Sequence, residues 1–309
     1  MNLLKKLVPL LVVLLAACGV PTEDQEDDGQ LNIVTTFYPV YHFTNQVVGE
    51  NGHVTVLLGA GQDTHNYEPT PKDMAAISEA DVFVYSSEYM ETWVPAVLET
   101  LKESDVKIIE AAEDLTFYEA ESDNEEEHTE DDGHNHAVDP HVWLDPLYAK
   151  QMVETISSAI QTVDQENREV YQEQTATFVQ ELETLDKEYQ AAFEAAHNRT
   201  FVTQHAAFGY LARRYNLEEI AISSLTSNQE ASPAKLAEIT KYIQDNNVEV
   251  IYYQNTGNAS LAEAVANETG IEKEILSAIE GVTDEEQASG IDYLSIMRDN
   301  LQALKKTIK

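Results

Sequence analysis

Cysteine is nearly absent: the 309-residue chain has one, Cys18. An intrachain disulfide is therefore excluded, and so is a cysteine-built metal site, which leaves His, Asp and Glu as the side chains able to hold a metal. Basic residues are scarce, 18 Lys and Arg against 56 Asp and Glu, for a formal net charge of −38. A polyanion would be repelled, so nucleic acid is not expected as a partner. The acidity otherwise describes a solvated surface and says little about function. After the first eighteen residues no run is apolar enough to cross a bilayer. Common enzyme signatures are missing too: there is no His-Glu-x-x-His, no Gly-x-Ser-x-Gly and no phosphate loop. Gly59-Ala60-Gly61 begins like a dinucleotide turn, but Thr64 stands where the third glycine belongs. No enzyme is expected.

What is there starts at the amino terminus. Lys5 and Lys6 precede an apolar stretch, Leu7 to Ala17, broken at Pro9 and too short to span a membrane comfortably. The run Leu15-Ala16-Ala17-Cys18 resembles a bacterial lipobox. That resemblance implies cleavage before Cys18, lipidation of that residue, and anchoring on the extracytoplasmic side of a bacterial cell membrane. The residues that follow, rich in Glu and Asp to Gln30, have no apolar surface to bury and are expected to form a disordered tether.

From Leu31 the texture is that of alternating strands and helices. Strands are predicted at Leu31–Phe37, Val54–Leu58, Asp81–Ser86 and Val106–Glu110, with helices at Pro39–Val48, Pro71–Ser78 and Tyr89–Glu103. A second set of strands begins at Thr200, with Thr200–Gln204, Glu219–Ser223, Val248–Gln254 and Lys273–Ser277. Its helices are predicted at Ala206–Tyr215, Pro233–Asn246, Leu261–Thr269 and Tyr293–Thr307. Between the sets, Gln165 to Ala196 has neither Gly nor Pro and carries an apolar stripe at three-four spacing from Val170 to Phe193. The expected architecture is α/β: two lobes with parallel sheets covered by helices, joined by one long helix, with a site in the cleft. The boundaries read as a signal peptide 1–18, a tether 19–30, an N-terminal lobe 31–164, a linking helix 165–197 and a C-terminal lobe 198–309. One segment fits neither lobe. Residues 119–136 hold nine acidic residues, no Lys or Arg, and His128, His134 and His136.

Six histidines remain. His65 follows a strand by one short loop, His141 lies in Asp139-Pro140-His141-Val142-Trp143-Leu144-Asp145-Pro146, and His205 ends a strand. In that second run Asp145 can cap a helix that starts at Pro146. Ligand sites of open α/β sheets gather beyond the carboxyl ends of strands. Two such ends facing across a cleft can bring three imidazoles together, and three imidazoles with one carboxylate suit tetrahedral zinc. His42 and His197, in or at the end of helices, and His53, placed in a turn with Gly52, read as structural or exposed.

Three runs sharpen the assignment: His65-Asn66-Tyr67-Glu68-Pro69, the Asp139–Pro146 run, and His205-Ala206-Ala207-Phe208-Gly209-Tyr210. Ser232-Pro233-Ala234-Lys235-Leu236 and the closing Asp292–Leu301 segment accompany them. Over residues 31 to 309 the chain resembles the solute-binding lipoproteins of zinc-uptake ABC transporters, sometimes called zinc-binding adhesins. The resemblance implies two α/β lobes joined by a long helix and a metal between them. It implies capture of Zn²⁺ as the transported ligand and its delivery to an ABC permease by a lipid-anchored protein, expected to be a monomer. His65, His141 and His205 become the metal ligands. The fourth comes from the segment before the last helix, which points to Glu280, with Asp284, Glu285 or water as alternatives; Ser277-Ala278 replaces the usual Asn-Pro there. The acidic loop with His128, His134 and His136 becomes a secondary metal-gathering segment. Manganese-type members usually carry Glu at the third histidine position, so His205 favours zinc. A manganese-binding member and a secreted zinc-dependent hydrolase are the competing functions.

Overall fold

The structure is a computed structural model and describes residues 29–62, 64–119, 138–225, 232–256 and 258–309. Cys18, most of the tether, and His128, His134 and His136 lie outside the described residues.

The first sheet contains β1 (Leu31–Thr35), β2 (Gly52–Val56), β3 (Val82–Tyr85) and β4 (Lys107–Glu110), all parallel in the order β2-β1-β3-β4. These segments are rich in Val, Ile, Phe and Tyr, and β3 is buried along its whole length, as a parallel strand covered on both faces must be. Three helices cross over between the strands: α1 (Tyr38–Val48), α2 (Pro71–Glu79) and α3 (Val94–Thr100). Pro71 opens α2, and Thr70 and Asp73 cap it reciprocally. The connection then leaves the sheet through α4 (Pro146–Val163), capped by Asp145, which accepts from the amides of Leu147 and Tyr148. A four-residue turn leads into α5 (Arg168–Phe193). At 26 residues α5 is the long linking helix, close to 40 Å from end to end at ~1.5 Å per residue.

The second sheet repeats the first. Its strands β5 (Thr200–His205), β6 (Glu218–Ser223), β7 (Val250–Tyr253) and β8 (Glu272–Ile275) are parallel in the order β6-β5-β7-β8. The helices are α6 (Gly209–Tyr215), α7 (Pro233–Asn246), α8 (Ser260–Thr269), α9 (Asp284–Ser289) and α10 (Tyr293–Leu304). Ser232 caps α7 and Asp292 caps α10.

Each sheet has a private core on one face. In the first it centres on Val34, Ile77, Phe83 and Val97; in the second on Val202, Ile239, Ile251 and Val265. The other faces share one core that runs through both lobes, built on Phe37, Phe43, Trp143, Phe178, Tyr189, Phe201, Tyr252 and Tyr293. Both sheets therefore hold fixed positions against α1, α4, α5 and α10, and the carboxyl ends of their strands supply the walls of one cleft.

Candidate metal centre

The four sequence-derived side chains come from four different segments of the two lobes. His65 sits in the loop after β2. That loop is steered by Leu57 and Leu58, whose amides donate to the carbonyls of Thr35 and Thr36, and by Tyr67, whose hydroxyl donates to Asp73 at 2.8 Å. His141 stands on the segment between β4 and α4. His205 is the last residue of β5, the strand at which the sheet order reverses, where ligands of open α/β sheets collect. Glu280 follows β8.

The structure brings the four together, one ligand atom from each lying within 4.8 Å of all the others. Oε1 of Glu280 is 3.4 Å from Nε2 of His65, 3.3 Å from Nε2 of His141 and 3.3 Å from Nε2 of His205. The side chains are at most 8% exposed. Nε2 of His141, Nε2 of His205 and Oε1 of Glu280 are buried and make no hydrogen bond. Polar atoms buried in that state are costly unless something between them accepts their lone pairs. A tetrahedral zinc with bonds of ~2.0–2.1 Å would separate its ligands by about 3.3–3.4 Å, the spacing seen around the carboxylate. The donor set and its dimensions fit a zinc ion. Among the described residues no other group of His, Asp and Glu closes in this way.

A second layer aims the imidazoles. Nδ1 of His141 donates to Oδ1 of Asp139 at 2.8 Å, and the same oxygen accepts from the His141 amide at 3.0 Å. Nδ1 of His205 donates to the carbonyl of Ser224 at 3.0 Å. Both bonds turn Nε2 toward the shared centre. Gly209 completes the fit, because a Cβ there would lie 2.7 Å from Oδ2 of Asp139. Burial alone would lower the pKa of His141, but its bond to Asp139 and the Glu280 carboxylate facing it outweigh that and hold it up at about 9. Burial alone would raise the pKa of Glu280, yet the three imidazoles facing it hold it well below the carboxylate range.

Two bonds tie the ligand segments across the cleft. Nε1 of Trp143 donates to the carbonyl of Ala278 at 2.7 Å, and the hydroxyl of Tyr293 donates to the carbonyl of Trp143 at 2.6 Å. The sequence reading did not assign these roles to Trp143, Asp139 or Tyr293. The Asp-Pro-His run itself is a signal for Asp139, since an aspartate two residues before a histidine can bond both its amide and its ring. Of the histidines read as structural, His42 is buried in α1 among Tyr38, Phe43, Phe178 and Tyr293. His197 follows α5, its amide donating to the carbonyl of Lys309. His53 lies in strand β2 rather than in a turn, because pairing of Leu31 with Gly52 starts the ladder one residue before it.

The family description "Zinc-uptake complex component A periplasmic", ZnuA, matches residues 33–307. The zinc-binding lipoprotein AdcA of Streptococcus pneumoniae is 42% identical over 302 residues, 97% of this chain. This chain spans 60% of the length of AdcA. The high-affinity zinc uptake system protein ZnuA of Bacillus subtilis is 39% identical over 300 residues, covering 96% of this chain and 94% of that protein. The crystal structure of the Zn(II)-bound ZnuA-like domain of Streptococcus pneumoniae AdcA superposes with a TM-score of 0.79 at 41% identity, covering 91% of this chain and 99% of that domain. These relatives are named for zinc binding and uptake, not for catalysis. With its two parallel-sheet lobes, its long helix and a match over nearly its full length, the chain belongs to the ZnuA family of zinc-uptake components.

Proposed function

We propose that this chain captures zinc outside the membrane, with His65, His141, His205 and Glu280 as its ligands, and delivers the ion to an ABC-type permease. The observation that carries the reading is the carboxylate oxygen held 3.3–3.4 Å from three imidazole nitrogens, the edge length of a zinc tetrahedron. Four protein ligands leave no open position for a catalytic water, which favours binding over hydrolysis. Manganese prefers more oxygen and a higher coordination number, so the three nitrogens favour zinc. The names of the relatives support the same reading. Cys18 supplies the lipid anchor, and the protein works as an extracytoplasmic monomer. The segment 119–136, with His128, His134 and His136, gathers metal more weakly than the main site.

Growth under zinc limitation tests the transport role. Deleting the gene is expected to impair growth, the unaltered gene to restore it, and a His141→Ala gene to fail. Full rescue by the His141→Ala gene would count against capture at this site. For the anchor, Cys18→Ala is expected to move the protein from the membrane fraction to the medium.

A further inference from the structure

Three described non-glycine residues have positive φ: Asn216 at 53°, Asn247 at 51° and Ile279 at 57°. The two asparagines end α6 and α7, a position where asparagine is at home. Ile279 ends no helix, its β-branched side chain is buried in the shared core, and it immediately precedes Glu280. A β-branched residue in the left-handed region is strained, because its Cβ crowds the neighbouring carbonyl.

What surrounds Ile279 is uneven. Upstream, the chain is clamped. The Ser277 amide donates to Oδ1 of Asn300 at 2.8 Å, and Nδ2 of Asn300 donates back to the Ser277 carbonyl at 2.7 Å. Trp143 holds the Ala278 carbonyl, and the Ile279 amide donates to Oγ of Ser277 at 3.1 Å. Downstream, the Glu280 carbonyl accepts a long 3.4 Å bond from Thr64, and Gly281 stands with open space where a Cβ would be. His141 and His205 are steered by bonds to their own rings, whereas Glu280 reaches the centre from a strained joint at the end of a rigid arm.

We propose that Ile279 is a positioning residue whose strained backbone aims Glu280 at the metal and makes that carboxylate the ligand most readily released. The left-handed turn is held while Glu280 ligates and relaxes when it lets go, so strain in the loaded state speeds unloading. This inference rests on the zinc reading and deepens it.

Gly and Ala variants at this position separate strain from packing. Ile279→Gly and Ile279→Ala both delete the buried side chain beyond Cβ, but glycine alone tolerates positive φ without cost. The measurement is zinc release to a chelator by stopped flow, with equilibrium affinity by chelator competition. Ile279→Gly is expected to bind zinc about fivefold tighter than Ile279→Ala and to release it more slowly by a similar factor. In a Glu280→Gln background the difference is expected to vanish. Equal release by the two variants, or a gap that survives Glu280→Gln, would overturn the proposal. NMR of the unaltered protein supplies an arm that needs no variant. The Ile279 backbone coupling is expected to report positive φ with zinc and negative φ without it, and positive φ in both states would overturn the proposal. Failure of the unaltered protein to bind zinc at all would overturn the zinc reading first, and this inference with it.

Discussion

Single residues set the chemistry of this site by denying the imidazoles a choice. Asp139 fixes His141, and Gly209 leaves room for that carboxylate. Asp139→Ala is therefore expected to weaken zinc binding by about 10- to 100-fold with little change in fold, measured by chelator competition and circular dichroism. Protons compete with the metal here. With Asp139 and Glu280 facing it, His141 holds its proton up to about pH 9, so zinc is expected to displace a proton from it at neutral pH. Affinity is expected to rise with pH, approaching tenfold per unit below about 9, and calorimetry in buffers of different ionisation enthalpy reads the proton released. The same raised pKa stabilises this arrangement of the fold below the ordinary histidine pKa, and that contribution is lost as pH rises through about 9. The three histidines were legible in the sequence because each falls beyond a predicted strand or in a capped run. Glu280 was reached only through family resemblance, since an isolated acid in a loop carries no spacing signal. Ile279 was not legible, because nothing in a sequence marks an isoleucine as left-handed.

At the scale of elements, β-rich runs and capped helices gave the sheets and most helices within a few residues. The misses have local causes. The helix expected from Tyr89 starts at Val94, because Pro95 has no N–H to give the carbonyl of Glu91. The buried Glu91 carboxylate meanwhile accepts from the amides of Ser86 and Ser87 and the hydroxyl of Thr36, drawing the chain into turns. The linking helix begins at Arg168, three residues after the expected start at Gln165. Asp164 accepts from the amides of Glu166 and Asn167 and sets a turn there. The buried His42 of α1 makes the junction of α1, α5 and α10 sensitive to acid. Burial lowers its pKa to about 4, with Asp292 opposing only in part. Its neutral form stabilises the fold above the ordinary pKa of 6.5, and that stability is lost as pH falls toward 4. The loss is on the order of 3 kcal/mol. Urea titration of the metal-free protein at pH 7 and pH 4.5 is expected to show it, and His42→Phe, which keeps an aromatic ring among Tyr38, Phe178 and Tyr293, is expected to reduce it.

At the scale of the whole molecule, one apolar core joins both lobes to the helices between them. The metal-free protein is therefore expected to unfold in one cooperative transition, with calorimetric and van't Hoff enthalpies in agreement. Zinc at a thousand times its dissociation constant is expected to add about 4 kcal/mol of stability, read as a concentration-dependent rise in Tm. The two-lobe plan was legible because alternating strands and helices appear twice, on either side of a stretch without glycine or proline. How the sheets face each other was not, because the contacts that settle it, Tyr293 to Trp143 and Trp143 to Ala278, join residues more than a hundred positions apart. The central claim is that His65, His141, His205 and Glu280 form one zinc-selective site. Its most direct test is a competitive titration of zinc and manganese against a chelator of known strength, on the unaltered protein and on His205→Ala at fixed pH. The account expects the tight site to prefer zinc over manganese and His205→Ala to weaken zinc binding sharply; tighter manganese binding, or zinc affinity unchanged by His205→Ala, would contradict it.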